Sequence, residues 1–202
     1  MSDQVKASDV KALRDKTGAG MMDSKEALKE AGGDIDRAVE ILRVKGQASA
    51  AKRSDRGTSE GVVASYIHNN GNVGSLVEVL CETDFVARND DFVDFANEVA
   101  LHVAATSPEY VSADEIPEEA IARERKLFAE KAAEEGKPAD VVDRIVEGQL
   151  SKWKAEVTLL EQEHVNADKH DSRTIEQMRE DLAAKVGENV VISRIACFRI
   201  GG

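Results

Sequence analysis

The sequence is poor in cysteine, proline and aromatic residues. Its 202 residues include two cysteines and three prolines, and 4% of them are aromatic. Cys81 and Cys197 lie far apart, with no CxxC pair and no clustered histidines. The sequence therefore predicts neither a disulfide framework nor a zinc site, and we interpret both cysteines as reduced thiols.

Long apolar runs are also absent. No stretch approaches the roughly 18 to 20 residues that a membrane-spanning helix needs, and the first thirty residues lack the apolar segment of a signal peptide. Hydrophobic residues make up 42% of the chain and charged residues 33%, a composition typical of globular proteins. We therefore expect a cytoplasmic protein without membrane contact, built as one medium domain plus a small module or as two small domains.

The charge balance excludes a basic nucleic-acid surface. The formal net charge is −12, whereas phosphate binding needs a positively charged footprint, so we expect no direct nucleic-acid partner. The charge is uneven, because residues 1–56 carry twelve Lys/Arg and ten Asp/Glu and the remainder is strongly acidic. This contrast indicates two pieces with separate contact surfaces.

Catalytic motifs are missing as well. The chain has no phosphate-binding GxxxxGK[ST] loop, no GxGxxG, no HExxH and no GxSxG. We interpret the four histidines as surface or packing residues and Cys81 as a small core residue. We therefore expect no enzyme, no metal and no cofactor.

The N-terminal piece, residues 1–56, reads as three short helices followed by a linker. Ser8 is the predicted N-cap of the first helix, which ends at Gly18. The second follows Met21 and Met22 with Asp23 or Ser24 as its cap. The third starts after Asp34 and ends before Gly46, and residues 46–61 are predicted to be a mobile linker.

Residues 57–202 read as a mixed α/β core. Two β-rich runs, 62–67 and 73–80, flank a turn of Asn and Gly and predict a β-hairpin, and residues 190–200 supply a third strand. Helices are expected over 90–106 and 174–186. A charged helical hairpin over about 117–153, broken at residues 136–138, should project from the core because it lacks a broad apolar face. The predicted class is α+β.

Two segments suggest partner contacts. In 17–23, only one of the neighbouring Met21 and Met22 can face a small core, so the other offers apolar surface, although the alternative is a core with one incidentally exposed methionine. The second segment, 82–89, is a polar and aromatic loop that could offer Asp84 and Phe85 to a partner. Composition alone favours the alternative, in which Asp84 caps a turn and Phe85 fills the core.

Three motifs in order carry a family resemblance: TGAGMMDSKEAL at 17–28, GDIDRA at 33–38 and ETDFVAR at 82–88. Together they resemble bacterial translation elongation factor Ts. Further matches at 102–105 before 108–110, at 146–148 before Lys152 and at 198–201 extend the resemblance over nearly the whole chain.

The resemblance implies a ubiquitin-associated-like N-terminal module, a flexible linker, and a core with an antiparallel sheet and a protruding helical hairpin. The implied function is guanine-nucleotide exchange without covalent chemistry: release of GDP from elongation factor Tu by perturbing its Mg²⁺ and phosphate site. The implied partner contacts are Arg14, Met21, Met22, Lys25, Thr83, Asp84, Phe85, Val86 and His102.

The β-hairpin and the Thr83-Asp84-Phe85 motif occur once in this sequence. The resemblance implies a difference here, because longer members of the family have two core subdomains in series. We therefore expect a homodimer, with Cys197 in the terminal strand as a possible intersubunit contact. The alternative function is a cytoplasmic binding adaptor that uses the three-helix module.

Overall fold

The computed structural model describes residues 5–136 and 138–201. Lys137, in the predicted break of the helical hairpin, lies outside the described residues. The chain forms two compact units. The first comprises residues up to 62 with 80–95 and 177–191, and the second comprises 63–79, 96–176 and 192 onward. The boundary predicted between residues 56 and 57 remains a prediction.

Three helices open the first unit: α1 (Ala7–Thr17), α2 (Met21–Glu30) and α3 (Ile35–Ala51). They bury a small apolar cluster of Val10, Leu13, Ala27, Leu28, Ala31 and Ala38. Gly18 ends α1 in the left-handed conformation, with φ of 70°, which glycine adopts without steric cost. Asp34 caps α3 by accepting a hydrogen bond from the backbone N–H of Arg37 at 3.0 Å, as the sequence predicts.

Two of the predicted helix starts are wrong. Lys6 is the N-cap of α1, so Ser8 lies inside that helix. Gly20 is the N-cap of α2, so Asp23 and Ser24 are helical as well. The buried positions Ser24, Ala27 and Leu28 define the core side of α2. The helix begins before them, at Met21.

The predicted linker starts later than expected, because α3 continues through Gly46 to Ala51. A Cβ atom added at Gly46 would lie 3.1 Å from the Cβ of Ala184 in α9 (Ile175–Val186). Gly46 therefore allows α3 and α9 to approach closely inside the first unit, and it does not end the helix.

The remaining predicted elements are confirmed to within a few residues. They are β1 (Glu60–Ile67), β2 (Val73–Cys81), α5 (Asp90–Thr106) and β3 (Val191–Arg199). The three strands form an antiparallel sheet in the order β1-β2-β3, and a single helical turn, α4 (Asp84–Ala87), joins β2 to α5. The class is α+β.

The second unit contains the helical hairpin of α6 (Glu118–Glu134) and α7 (Ala139–Val157). These helices pack on each other and bury small or medium side chains such as Ala132, Val146 and Leu150. Residues 113–115 and 159–161 form short 3₁₀ turns, and α8 (Ala167–His170) precedes α9. None of the helices in the described ranges is long and apolar enough to cross a membrane.

One face of the sheet is covered by α5 within the second unit. The Ser75 hydroxyl donates to the carbonyl of Ala100 at 2.6 Å, and Arg199 Nη2 donates to the carbonyl of Ala104 at 3.2 Å. Cys197 is on this face, with its Sγ 3.4 Å from Ser107 Oγ. The helix thus provides the inner layer on which the sheet packs.

The opposite face of the sheet carries exposed apolar side chains, which we call the outer sheet face: Val63, Ile67, Leu76, Phe198 and Ile200. The backbone N–H of His68 donates to the carbonyl of Val73, and that of Ile200 donates to the carbonyl of Asn72. This register aligns Ile67, Gly74 and Phe198 in one row across the three strands.

Candidate functional site

The turn after β2 presents an aromatic ring to solvent. Thr83 is the N-cap of α4, and its hydroxyl faces the backbone N–H of Val86 at 3.5 Å. Ala87 is buried beneath the turn, whereas the Phe85 side chain is 82% exposed. Phe85 therefore does not fill the core, and the composition-based expectation for it is wrong. We call residues 83–87 the wedge turn.

Asp84 is held by an ion pair inside the wedge turn. Its Oδ2 lies 3.1 Å from Arg88 Nη2, and the Asp84 side chain keeps 45% of its surface exposed. This i,i+4 pair directs the carboxylate along the side of the turn. Asp84 and Phe85 thus reach solvent from adjacent positions, and Thr83 and Val86 flank them.

A second exposed surface surrounds the turn between α1 and α2. The Thr17 hydroxyl donates to the carbonyl of Leu13 at 2.8 Å and accepts from the backbone N–H of Ala19 at 3.3 Å. These bonds fix the start of α2, where Met21 is 57% exposed and Met22 is 64% exposed.

Both methionines are thus exposed, whereas the sequence predicts that one of them faces the core. Arg14 and Lys25 are exposed on the flanking helices. We call Arg14, Met21, Met22 and Lys25 the methionine surface.

His102, also among the implied contacts, is completely buried. The backbone N–H of Val165 donates to its Nδ1 at 3.1 Å, which leaves the proton of the neutral ring on Nε2. That nitrogen lies 2.8 Å from Gln162 Oε1, to which it donates. Burial lowers the pKa of His102 to about 4. The side chain is therefore a neutral structural link within the second unit, away from the surface.

The fold brings together histidines that are not clustered in the sequence. The His102 and His164 rings stack at a centroid distance of 5.4 Å, and His164 meets His170 edge-on at 4.2 Å. His170 Nε2 lies 3.0 Å from Glu98 Oε2. Burial would by itself raise the pKa of Glu98, but hydrogen bonds from Lys169 and His170 hold it below its usual value.

The ligand atoms of Glu98, His164 and His170 lie within 4.8 Å of one another, but their hydrogen bonds do not suit a metal ion. His164 Nδ1 accepts from the backbone N–H of Asn166 at 3.1 Å, so the proton is on Nε2, the nitrogen that faces Glu98. A metal needs that nitrogen without its proton. Burial also lowers the pKa of His164, and we assign the cluster a packing role.

Cys81 is buried, and its Sγ donates to the carbonyl of Thr83 at 3.2 Å. Burial raises the pKa of its thiol to about 11. Because the thiolate is the nucleophilic form, this cysteine is suited to packing beneath the wedge turn.

Comparison with known proteins identifies the family. Residues 3–172 match the family model described as Elongation factor TS. A protein named elongation factor Ts from Carboxydothermus hydrogenoformans is 50% identical over 192 residues, which cover 95% of this chain and 87% of the relative.

Two further relatives carry the same name. That of Caldanaerobacter subterraneus subsp. tengcongensis is 48% identical over 197 residues, covering 98% of this chain and 97% of the relative. That of Fervidobacterium nodosum is 46% identical over 198 residues, covering 98% of this chain and 99% of the relative. The similarity therefore spans nearly the full length on both sides.

Proposed function

This chain belongs to the elongation factor Ts family, whose members are nucleotide exchange factors for elongation factor Tu, and we propose that it releases GDP from that GTPase by intruding on its Mg²⁺ and phosphate site. The observation that carries the proposal is the 82% exposure of Phe85 on a turn that is itself anchored. We propose that the protein works in the cytoplasm, without covalent chemistry and without direct contact with nucleic acid.

The wedge turn supplies the two kinds of group that such an intrusion requires. A GTPase holds GDP mainly through phosphate contacts and a coordinated Mg²⁺. An apolar ring that enters beside this site displaces the surrounding side chains, and a carboxylate close to the phosphates disfavours their negative charge. Phe85 takes the first role and Asp84 the second. Thr83 and Val86 shape the turn that presents them.

The energy required is within reach of these contacts. A thousandfold acceleration of release needs about 4 kcal/mol of preferential stabilisation of the release transition state. Burying one phenylalanine side chain contributes about 1.5–3 kcal/mol, and the Asp84 carboxylate adds to it. The coupling is reciprocal. This protein lowers the affinity of the GTPase for GDP, and GDP lowers the affinity of the GTPase for this protein by the same ratio.

The methionine surface provides affinity in this proposal. Met21 and Met22 are flexible apolar side chains that adapt to a partner's surface, and Arg14 and Lys25 add positive charge beside them. His102 is buried in the second unit, where it bonds to Gln162 and to the backbone of Val165, so it supports that unit without touching the partner. We therefore assign direct contact to the exposed residues and support to His102.

We also propose a homodimer formed through the outer sheet face. Its five exposed apolar side chains lie on one side of a three-stranded sheet, and two such sheets can pack face to face. Beside them, Arg194 forms a two-bond ion pair with Glu78, at 2.9 and 2.8 Å. Cys197 is on the opposite face, so the proposed interface depends on packing and needs no disulfide.

Release of fluorescent GDP from purified elongation factor Tu tests the function. Substoichiometric amounts of this protein should release GDP from many equivalents of the GTPase, because an exchange factor turns over. The adaptor alternative predicts binding through the three-helix module with an unchanged release rate. Binding without acceleration at any concentration would contradict the exchange proposal.

A further inference from the structure

The carboxylate of Glu188 accepts three hydrogen bonds where the wedge turn begins. Glu188 lies between α9 and β3, and its Oε2 accepts from the backbone N–H groups of Glu82 and Thr83 at 3.0 Å each. Its Oε1 accepts from the Thr83 hydroxyl at 2.6 Å. Hydrogen bonds to an ionised acceptor are stronger than neutral ones, so these three fix the chain direction at the point where the wedge turn begins.

The attachment is reciprocal. Glu82 Oε1 accepts from the backbone N–H of Asn189 at 2.7 Å, while the neighbouring Glu188 accepts from the backbone of Glu82. The buried Asn189 amide donates to the carbonyls of Ser54 and Arg56 at 3.1 and 2.9 Å. Three segments distant in sequence are thus tied together inside the first unit.

Thr83 transmits this attachment to the turn. The Thr83 hydroxyl donates to Glu188, so its oxygen lone pairs are directed toward the backbone N–H of Val86 at 3.5 Å. Phe85 lies between Thr83 and Val86 in the chain. Glu188 therefore determines how the residues on both sides of the exposed ring are held.

We propose that Glu188 is a positioning residue for nucleotide exchange: it holds Thr83 and Glu82 so that Asp84 and Phe85 are presented in one fixed geometry. The inference rests on the proposed exchange function, because the turn is positioned for that task. Glu188 acts through Thr83 and needs no contact with the partner. A displacement of about 1 Å in a group that acts on a reacting or binding site can reduce its effect about a hundredfold.

The first test uses the free full-length protein and measures backbone hydrogen exchange at residues 82 and 83. Glu188→Ala should accelerate exchange at both amides by at least about tenfold, since each loses its acceptor. Glu188→Gln should stay close to the parent, because its amide oxygen can still accept from the backbone. Glu134→Ala, at an exposed position of α6, is the control. Unchanged protection in Glu188→Ala would overturn the proposal.

The second test measures release of fluorescent GDP from elongation factor Tu over a range of factor concentrations. Glu188→Ala should lower the maximal release rate by at least about tenfold and change the half-saturating concentration by less than about threefold. Glu188→Gln should restore most of the rate. Thr83→Ala combined with Glu188→Ala should be no worse than the more impaired single variant, because in this proposal Glu188 acts on the turn through Thr83.

Parental release by Glu188→Ala would overturn the positioning role, as would equal impairment of the Ala and Gln variants. If the parental protein itself fails to accelerate release, the exchange function is wrong, and the hydrogen-exchange measurement still decides whether Glu188 holds the turn.

Discussion

Phe85 and Phe92 are seven residues apart, yet Phe85 is 82% exposed and Phe92 is fully buried. Phe92 lies on the core side of α5, whereas Phe85 projects from the wedge turn before that helix. The same side chain thus occurs at neighbouring sites in opposite environments. The pair provides a matched comparison of surface and core roles.

Removing the two rings should have very different effects on stability. Phe92→Ala should cost about 3–5 kcal/mol of unfolding free energy, because it leaves a cavity in the core. Phe85→Ala should cost less than about 1 kcal/mol, since the ring already faces solvent. Chemical denaturation of both variants measures the difference. A similar loss in the two would mean that Phe85 is packed in solution.

A larger residue at Gly46 should disrupt the packing of α3 on α9. Gly46→Leu should destabilise the protein by about 1–3 kcal/mol, because the added atoms press on Ala184. Gly148→Leu in α7 is the control: a Cβ there has nothing within 4 Å, and leucine has the higher helix propensity, so stability should stay equal or rise by up to about 1 kcal/mol. Equal effects in denaturant melts would indicate that residue 46 belongs to a linker.

The buried histidines should make folding sensitive to acid. The pKa of His102 falls from 6.5 to about 4 on folding, so above pH 6.5 the ring is neutral in both states and the stability is complete. Below pH 6.5 His102 becomes protonated in the unfolded chain but stays neutral in the folded one. The free energy of unfolding therefore falls until about pH 4, and this residue contributes up to about 3 kcal/mol to the fall.

The measurement is the unfolding free energy between pH 7 and pH 4. His102→Gln should show a shallower decline over this interval than the parent, even if it is less stable at neutral pH. His68→Gln, at an exposed histidine, is the control and should follow the parental curve. A parental slope in His102→Gln would show that this ring does not remain neutral in the fold.

The outer sheet face should control the oligomeric state. Sedimentation should give about twice the chain mass of 21.9 kDa, and Leu76→Glu should give the single mass, because a charge would be buried at the centre of the interface. Leu127→Glu, at an exposed leucine of α6, should remain dimeric, and so should Cys197→Ser. A parental mass near 22 kDa at tens of micromolar, with exchange intact, would rule out the dimer.

Local patterns predicted most of the fold. Alternation of apolar residues gave the strands, Gly18 and Asp34 marked helix boundaries, and the spacing of apolar residues gave α5 to the residue. Gly46 misled because a glycine inside a helix reads as a stop, whereas here it serves a contact with Ala184 that only the folded chain reveals. The first turn of α2 was misplaced since Gly20 provides no side-chain capping signal.

The site was only partly predictable. The family motif pointed to Phe85 as a partner contact, whereas the composition of its segment alone favoured a buried ring. Nothing in the sequence links Glu188 to Thr83, because the two are 105 residues apart and meet through tertiary packing. The one local signal is a polar pair, Glu188 and Asn189, between a helix-ending glycine and the apolar start of the terminal strand. The histidine cluster was missed for the same reason.

The wedge mechanism is tested most directly by the maximal rate at which the protein releases fluorescent GDP from elongation factor Tu, with Phe85→Ala compared with the parent at saturating factor. Phe85→Ala should lower this rate about 10- to 100-fold, corresponding to the loss of about 1.5–3 kcal/mol of apolar burial, while the melting temperature stays near the parental value. Asp84→Ala should lower the rate in the same way. Parental release rates in both variants would contradict the wedge mechanism.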